Sequence, residues 1–402
     1  MNLDKKKIII VSHNMRIGGV ERSLLGLLNS LDYDSIQVDL FLFYHDGEFM
    51  SLIPKEVNVL PQINKYSTLL RPATEVIKMG YVDVLFHKWS AKRKADKFCR
   101  ANNIGPNNLV VSTYLQKEVA KCLPKINDKV YDLAISFLTP HFIVSQKVKA
   151  HRTIAWIHTD YSFFEIDTEV ETAMWNDYDY IASISDECST AFKMTFPKLE
   201  NKIVLIENIL SEDFVNTGAK IKDVIVELSV KDGVTSLCSV GRFSHPKNFD
   251  NVPKITRLLK ESGCQVKWFL IGYGGDEQLV RNKIKENGVE EDVIILGKKD
   301  NPYPYMAACN IYAQPSRYEG KAVAVREAQI LGKPVVITAF PTSKSQLQDG
   351  VDGIIVGMDS QACAEGIKNL INDKNLQEKL ILNCQNRNYG NKSEIDKLMN
   401  LI

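Results

Sequence analysis

The sequence has no run of about 18 apolar residues, so no stretch of it reads as a membrane-spanning helix. The apolar run that follows the first lysines, Ile8 to Val11, is too short for a signal-peptide core. There is no CxxC pair: Cys99, Cys122, Cys188, Cys238, Cys264, Cys309, Cys363 and Cys384 are scattered, several beside apolar residues as in "LCSV" and "AACNIY". That usage argues against a disulfide scaffold and for buried free thiols in a reducing compartment. Charge of one sign is not in excess either. Fifty Lys and Arg stand against 49 Asp and Glu, a net of +1, which gives no support for wholesale nucleic-acid binding. A GxGxxG dinucleotide fingerprint and a short-period repeat are also missing. A cytoplasmic protein is expected.

What remains is an ordinary globular composition, 45% hydrophobic and 25% charged, over 402 residues, a length that points to two domains or more. "KIIIVS" reads as a buried strand, and "GGVERSLLGLLNSL" as a helix with Leu24, Leu27, Leu28 and Leu31 at helical spacing. "IQVDLFLFY" is a second strand, which completes a βαβ unit. Further strands are predicted at 131–137, 152–158, 180–185 and 202–208. The alternation restarts with "TSLCSVG", "VKWFLIGYG", "VIILG", "IYAQPS" and "PVVIT", separated by the helices "NVPKITRLLKES" and "EQLVRNKIKENG". The polar stretch 210–233 reads as the linker region. The pattern predicts an α/β protein of two Rossmann-like doubly wound domains facing a cleft: residues 1–209, on the acceptor side; residues 210–385, on the donor side; and a C-terminal tail, 386–402, helical and packing back on the first domain.

The strand ends carry the chemistry. "RIGGVER" puts Gly18 and Gly19 after the first strand, where the backbone can approach a ligand or simply turn. "IAWIHTDY" leaves His158 at a strand end, either facing a substrate or satisfied within the fold. In "VGRFSHPKNFD", Arg242 and Lys247 suit diphosphate oxygens as a fork and a point charge, or are surface cations. "IGYGGDE" supplies Gly272 in a further strand-to-helix turn. In "PSRYEGKAVAVREA", Glu319 and Glu327 are separated by seven residues where a loop enters a helix near Gly320–Ala322. Such a carboxylate can hold the hydroxyls of a ribose or of a sugar, and the helix start favours phosphate. Two unrelated surface glutamates would give the same spacing.

These pieces in this order, "GGVE", "IH", "VGR…K", "IGYGG", then "SxxEG" with Ex7E and "GKPVV", resemble the retaining GT-B glycosyltransferases of glycosyltransferase family 4, over nearly the whole chain. The resemblance implies transfer of a hexose or N-acetylhexosamine from a nucleotide-sugar donor, UDP- or GDP-linked, to a glycan or polyprenyl-linked acceptor, with no cofactor and no metal. It implies that Arg242 and Lys247 bind the donor diphosphate, that His158 contacts the donor sugar near its 6-position, and that Gly18 and Gly19 bring backbone to the donor. Glu319 would hold the transferred sugar and Glu327 the ribose. Gly272, Ser316, Gly320, Lys321 and Ala322 would complete the donor site, with the Lys321 and Ala322 amides on the phosphates. His158, Glu319, Arg242 and Lys247 are the residues expected to act in catalysis. Family members often read "EGFGLVLLEA"; here Lys321 stands for the aromatic residue and Ala322 for the glycine, a variant similar to those of bacterial capsule and cell-surface polysaccharide clusters. A GT-B nucleotide-sugar epimerase and a non-catalytic sugar-nucleotide-binding subunit share the same two-domain plan.

One segment stands apart in composition. Residues 87–103 carry Lys88, Lys92, Arg93, Lys94, Lys97 and Arg100 against Asp96 alone, with Trp89 and Phe98 among them. A basic amphipathic helix of this kind suits either an anionic membrane surface or plain solvent. A protein peripheral to the inner face of the cell membrane is one expectation that follows.

Overall fold

The computed structural model describes residues 5–105, 108–228, 230–391 and 393–402. The chain divides into two compact units, Met1–Glu207 with Ser393–Ile402, and Asn208–Lys392. The first holds a seven-stranded sheet of β1 (Lys6–Ser12), β2 (Ile36–Leu42), β3 (Asn58–Val59), β4 (Val130–Ser136), β5 (Lys149–Ile157), β6 (Tyr180–Ser183) and β7 (Ile203–Leu205). Its order is β3-β2-β1-β4-β5-β6-β7, and its pairings are parallel. Ile8, Ile9, Ile10 and Val11 are all buried, so β1 is covered on both faces, as helices flanking a parallel sheet require.

The second unit holds a six-stranded sheet of β8 (Thr235–Val240), β9 (Val266–Ile271), β10 (Val293–Gly297), β11 (Ile311–Gln314), β12 (Val335–Thr338) and β13 (Ile354–Val356). Its order is β10-β9-β8-β11-β12-β13, again parallel. One core cluster gathers Leu237, Trp268 and Leu270 with helix residues Ile255, Leu259 and Ile367. Another gathers Cys238, Phe269 and Tyr312 with Tyr303, Val325 and Ala328. The two clusters take alternate residues of the same strands, so they cover opposite faces of the sheet.

The sequence reading misses β3 and β13, which are two and three residues long. It also misreads 210–233 as a linker. That stretch forms the helices Glu212–Ala219 and Ile225–Leu228, and Val215, Val224 and Leu228 lie in the core with Tyr303 and Tyr305. The few apolar residues there are widely spaced among polar ones, which conceals a half-buried helix in a composition scan. In the basic segment, Phe98 does not stand outside among the bases. It packs inward on Tyr114, beside the buried Ala95, Cys99 and Val110. Among the described residues, no helix is long and apolar enough to cross a membrane.

In each sheet the strand order reverses once, between β1 and β4 and between β8 and β11. The connections that leave the C-terminal ends of these strands run in opposite directions and open a crevice, the place where such folds bind ligands.

Candidate active site

At the crevice of the second sheet, β8 and β11 pair in parallel, Ile311 with Leu237 and Tyr312 with Cys238. The loop after β8, Gly241 to Asp250, and the loop after β11, Pro315 to Ala322, therefore emerge side by side. They are tied together by backbone and side chain. Arg317 donates its amide to the carbonyl of Pro246 at 2.7 Å and its guanidinium to the His245 carbonyl at 2.6 Å. The same guanidinium grips Asp250 with a fork of 2.9 and 2.7 Å. Burial raises the Asp250 carboxyl, but Arg317 outweighs it and holds the group below its ordinary range. Asn248 adopts the left-handed conformation, φ 59°, and its Nδ2 donates to the Pro315 carbonyl at 2.8 Å. None of Asp250, Asn248 and Arg317 was singled out from the sequence; the asparagine at a sharp turn was the one signal available.

On this brace Lys247 and Glu319 meet, Nζ to Oε1 at 2.5 Å, although 72 residues separate them in the chain. Their side chains keep 20% and 11% of their exposure. The same carboxylate oxygen accepts from Ser316 Oγ at 2.6 Å and from Gln314 Nε2 at 3.4 Å. Gln314 also donates to Ser316 at 2.9 Å and is itself held by the Tyr312 hydroxyl at 2.6 Å. This relay fixes the Glu319 rotamer from beneath. Arg242 lies exposed on the same loop as Lys247, without an ion-pair partner among the described residues.

The helix Val323–Ile330 begins immediately after the loop, with Ala322 at its N-cap and no side chain capping it. The Ala322 amide donates to Gln346 Oε1 at 2.8 Å, so in this state that donor is engaged within the chain. Thr342 Oγ1 donates to the Glu319 carbonyl at 2.8 Å, and Gln346 reaches back to the Gly320 carbonyl at 3.5 Å. Glu327 is fully buried, and its Oε1 accepts from the Tyr303 hydroxyl at 2.7 Å. Gly272 has φ +143°, and a Cβ there would lie 1.8 Å from the Gly241 carbonyl oxygen. Backbone packing against Gly241 accounts for that glycine without a ligand.

In the first unit, Gly18 caps the helix Gly19–Leu28, and a Cβ on it would strike the Glu21 carboxylate. Gly19 has open space at the same point. His158 follows β5; its ring lies 4.6 Å from Phe137 and is stacked on Trp156. Burial lowers its pKa to about 3, against the opposing pull of a bond with the Phe137 backbone, so the ring is neutral near pH 7. The sequence reading missed its companions. His13 follows β1, stacked on Phe43, with a pKa lowered to about 4 by burial. His141 follows β4, bonded through Nδ1 to Ser136 Oγ at 2.8 Å. Burial, and then the proximity of His158 and His13, lowers its pKa well below the ordinary value. Adjacent strands thus bring three neutral imidazoles to one edge of the first sheet.

Comparison with known proteins bears on the second unit most directly. Residues 222–387 match the sequence profile of the family described as glycosyl transferases group 1. The match lies within the second unit and covers less than half of the chain. The match extends to curated relatives over limited lengths. An N-acetylgalactosaminyltransferase acting on N-acetylgalactosamine-N,N'-diacetylbacillosaminyl-diphospho-undecaprenol, from Campylobacter jejuni, is 29% identical over 41% of this chain and 44% of its own. The lipopolysaccharide core biosynthesis glycosyltransferase LpsE of Rhizobium meliloti is 25% identical over 42% of this chain and 48% of its own. The chain thus spans less than half the length of these curated relatives. Among solved structures, Anabaena HepE in complex with UDP and glucose superposes over 99% of this chain and 100% of its own, at TM-score 0.67 and 18% identity. A point mutant of Staphylococcus aureus TarM, in complex with UDP and sugar ligands, superposes over 98% and 99%, at TM-score 0.68 and 14% identity. These likenesses establish the GT-B fold, two parallel-sheet Rossmann-like domains, that the group 1 match accompanies.

Proposed function

We propose that the protein is a retaining, metal-independent glycosyltransferase. It moves a hexose or N-acetylhexosamine from a nucleotide-sugar donor, UDP- or GDP-linked, to a lipid-linked or cell-surface glycan acceptor, working in the cytoplasm or on the inner face of the membrane. The observation that carries this reading is the Lys247–Glu319 pair, held at the sheet crevice beside Arg242 and the uncapped helix start. A half-buried cation and carboxylate that satisfy each other are a site waiting for a ligand with both kinds of group. A nucleotide sugar brings a diphosphate for Lys247 and Arg242 and hydroxyls for Glu319, so each partner exchanges one bond for another. The UDP and UDP-glucose complexes of HepE favour a uridine donor. The undecaprenol-linked substrate named for the Campylobacter relative favours a lipid-linked acceptor.

In the reaction, the bond from the anomeric carbon to the diphosphate oxygen breaks and a bond to the acceptor hydroxyl oxygen forms on the same face. The hydroxyl proton leaves with the departing diphosphate. Lys247 and Arg242 neutralise the charge that accumulates on that diphosphate, which fixed cations do at little reorganisation cost. Glu319 orients the transferred sugar, and Ser316 and Gln314 keep the carboxylate in place. Glu327 is assigned to the ribose, a role that needs its bond with Tyr303 to open or be shared. Gly18 and Gly19, Gly272, Gly320, Lys321 and the Ala322 amide fill the family's donor-contact positions. His158 takes the donor sugar in the same assignment, as a neutral hydrogen-bonding ring.

A thermal-shift panel of nucleotide sugars, followed by transfer assays with the stabilising donor, tests the reading. Selective stabilisation by one donor and a product that keeps its anomeric configuration are expected. Release of an epimerised nucleotide sugar, an inverted product, or binding without turnover on any lipid-linked or glycan acceptor would each overturn it.

A further inference from the structure

The Val82–Ala101 helix of the first unit has two faces of different character. Val84, Ala91, Ala95 and Cys99 are buried. At 100° per residue, Val82, Phe86, Trp89, Arg93, Lys97 and Arg100 fall within about 80° of one another on the opposite side. Val82 is 73% exposed, Phe86 64% and Trp89 57%, and Ile77 of the preceding helix Ala73–Lys78 is 61% exposed. The stripe is divided along its length. Its N-terminal half is apolar and aromatic, and its C-terminal half is cationic. The Arg93 guanidinium bridges the halves, 5.5 Å from the Trp89 ring.

The cations of this helix divide the same way. Lys88 donates inward to the Arg71 carbonyl at 2.6 Å, and Lys94 pairs with the buried Glu118 at 2.7 Å. Lys92, Arg93, Lys97 and Arg100 are exposed and, among the described residues, have no carboxylate partner. Two bases thus serve the fold and four are left to solvent, beside large apolar side chains that the fold also leaves uncovered.

We propose that this stripe docks the protein on an anionic lipid bilayer. Val82, Phe86 and Trp89 enter the interfacial layer, while Arg93, Lys97 and Arg100 lie along the headgroup phosphates. Trp and Phe are the side chains that settle at a lipid–water boundary, and long basic side chains place their charge outward from it. Charge complementarity selects the partner: unpaired cations continue the apolar line and face an anionic plane. A protein partner would need a larger well-packed apolar core than a few side chains on one convex helix provide. The proposal rests on this surface alone and is independent of the transferase reading.

The other tryptophans, Trp156, Trp175 and Trp268, are buried, so a vesicle-induced change in tryptophan emission reports contact at Trp89. Full-length protein is mixed with vesicles of phosphatidylcholine containing phosphatidylglycerol, and with phosphatidylcholine alone. Co-sedimentation with the anionic vesicles and a blue-shifted emission are expected, both weakened by added salt. The double variant Phe86→Ser/Trp89→Ser and the triple variant Arg93→Gln/Lys97→Gln/Arg100→Gln should each lower partitioning on the order of tenfold. Lys94→Gln, whose target is tied up inside, should leave it unchanged. Stabilisation by nucleotide sugars, measured on the same variants, should be unaltered, which separates this proposal from the donor-site assignment. Absence of binding to anionic vesicles, equal binding to neutral ones, or wild-type partitioning of the double variant would overturn the proposal. So would light scattering that shows a dimer dissolved by Phe86→Ser/Trp89→Ser, since a second copy would then be the occupant.

Discussion

Glu319 and Lys247 form the contact on which the proposed chemistry turns. The pair is only partly shielded, and its carboxylate has further donors in Ser316 and Gln314. Loss of one member therefore leaves the other within reach of hydrogen bonds or water, and the fold should tolerate it. Lys247→Ala and Glu319→Ala are expected to lower transfer on the order of 100-fold or more, the scale on which one preorganised electrostatic contact acts. Their circular dichroism and melting temperature should stay near those of the parent protein. A folded Lys247→Ala enzyme with parental turnover would remove Lys247 from the diphosphate. At this same scale the sequence was partly legible. Lys247 and Glu319 could be picked out by residue type and position after a strand. Their ion pair could not, nor could the Arg317–Asp250 fork beneath it, because nothing local to either segment specifies a partner some 70 residues away.

At the scale of elements, the histidines at the edge of the first sheet make a prediction about pH. His13 and His158 have folded-state pKa values of about 4 and about 3, below the ordinary 6.5, because burial disfavours the imidazolium. The unfolded chain therefore takes up protons first as pH falls. Stability is fully present above pH 6.5 and is lost as pH drops from 6.5 toward 4, by about 1 kcal/mol per histidine at pH 5.5. Urea titrations at pH 7.5 and pH 5.5 should show the midpoint falling, and His13→Asn should reduce the difference. An unchanged midpoint in the parent protein would contradict the buried neutral state. Element boundaries also show where local pattern suffices. β1, β2, β8 and β9 carry dense apolar runs and were readable. β3 and β13 are too short to develop a period, and 210–233 hides its helices behind polar faces.

At the scale of the whole molecule, the chain leaves its first unit after Glu207 and returns to it at Ser393. The returning helix Ser393–Met399 buries Leu398 completely, and the Glu394 carboxylate accepts the Glu207 amide at 3.0 Å. The last residues therefore belong to the first unit, although they follow the second unit in the chain. Leu398→Ala should cost about 2–4 kcal/mol, the range for emptying a fully buried leucine site. That loss should appear in the unfolding of the first unit. A nucleotide sugar bound at the Lys247–Glu319 site should raise the melting of the second unit in the variant as in the parent protein. Calorimetry that showed an unshifted first transition would separate this helix from the first unit's stability.

The alternation of strand and helix, its restart in the second half, and the residue types at each strand end are all written in the linear order of the chain. These are local properties, fixed by side-chain period and by the glycines and prolines that interrupt it. Which strand ends are neighbours is settled by packing across the fold. Placing β11 on the free side of β8, opposite β9, is what brings Lys247 to Glu319. The same step in the first sheet gathers His13, His141 and His158. It is also packing that decided which bases of the Val82–Ala101 helix are spent inside and which face out. Strand order and helix orientation follow from burying apolar faces over long sequence separations, and no short window of residues contains that information.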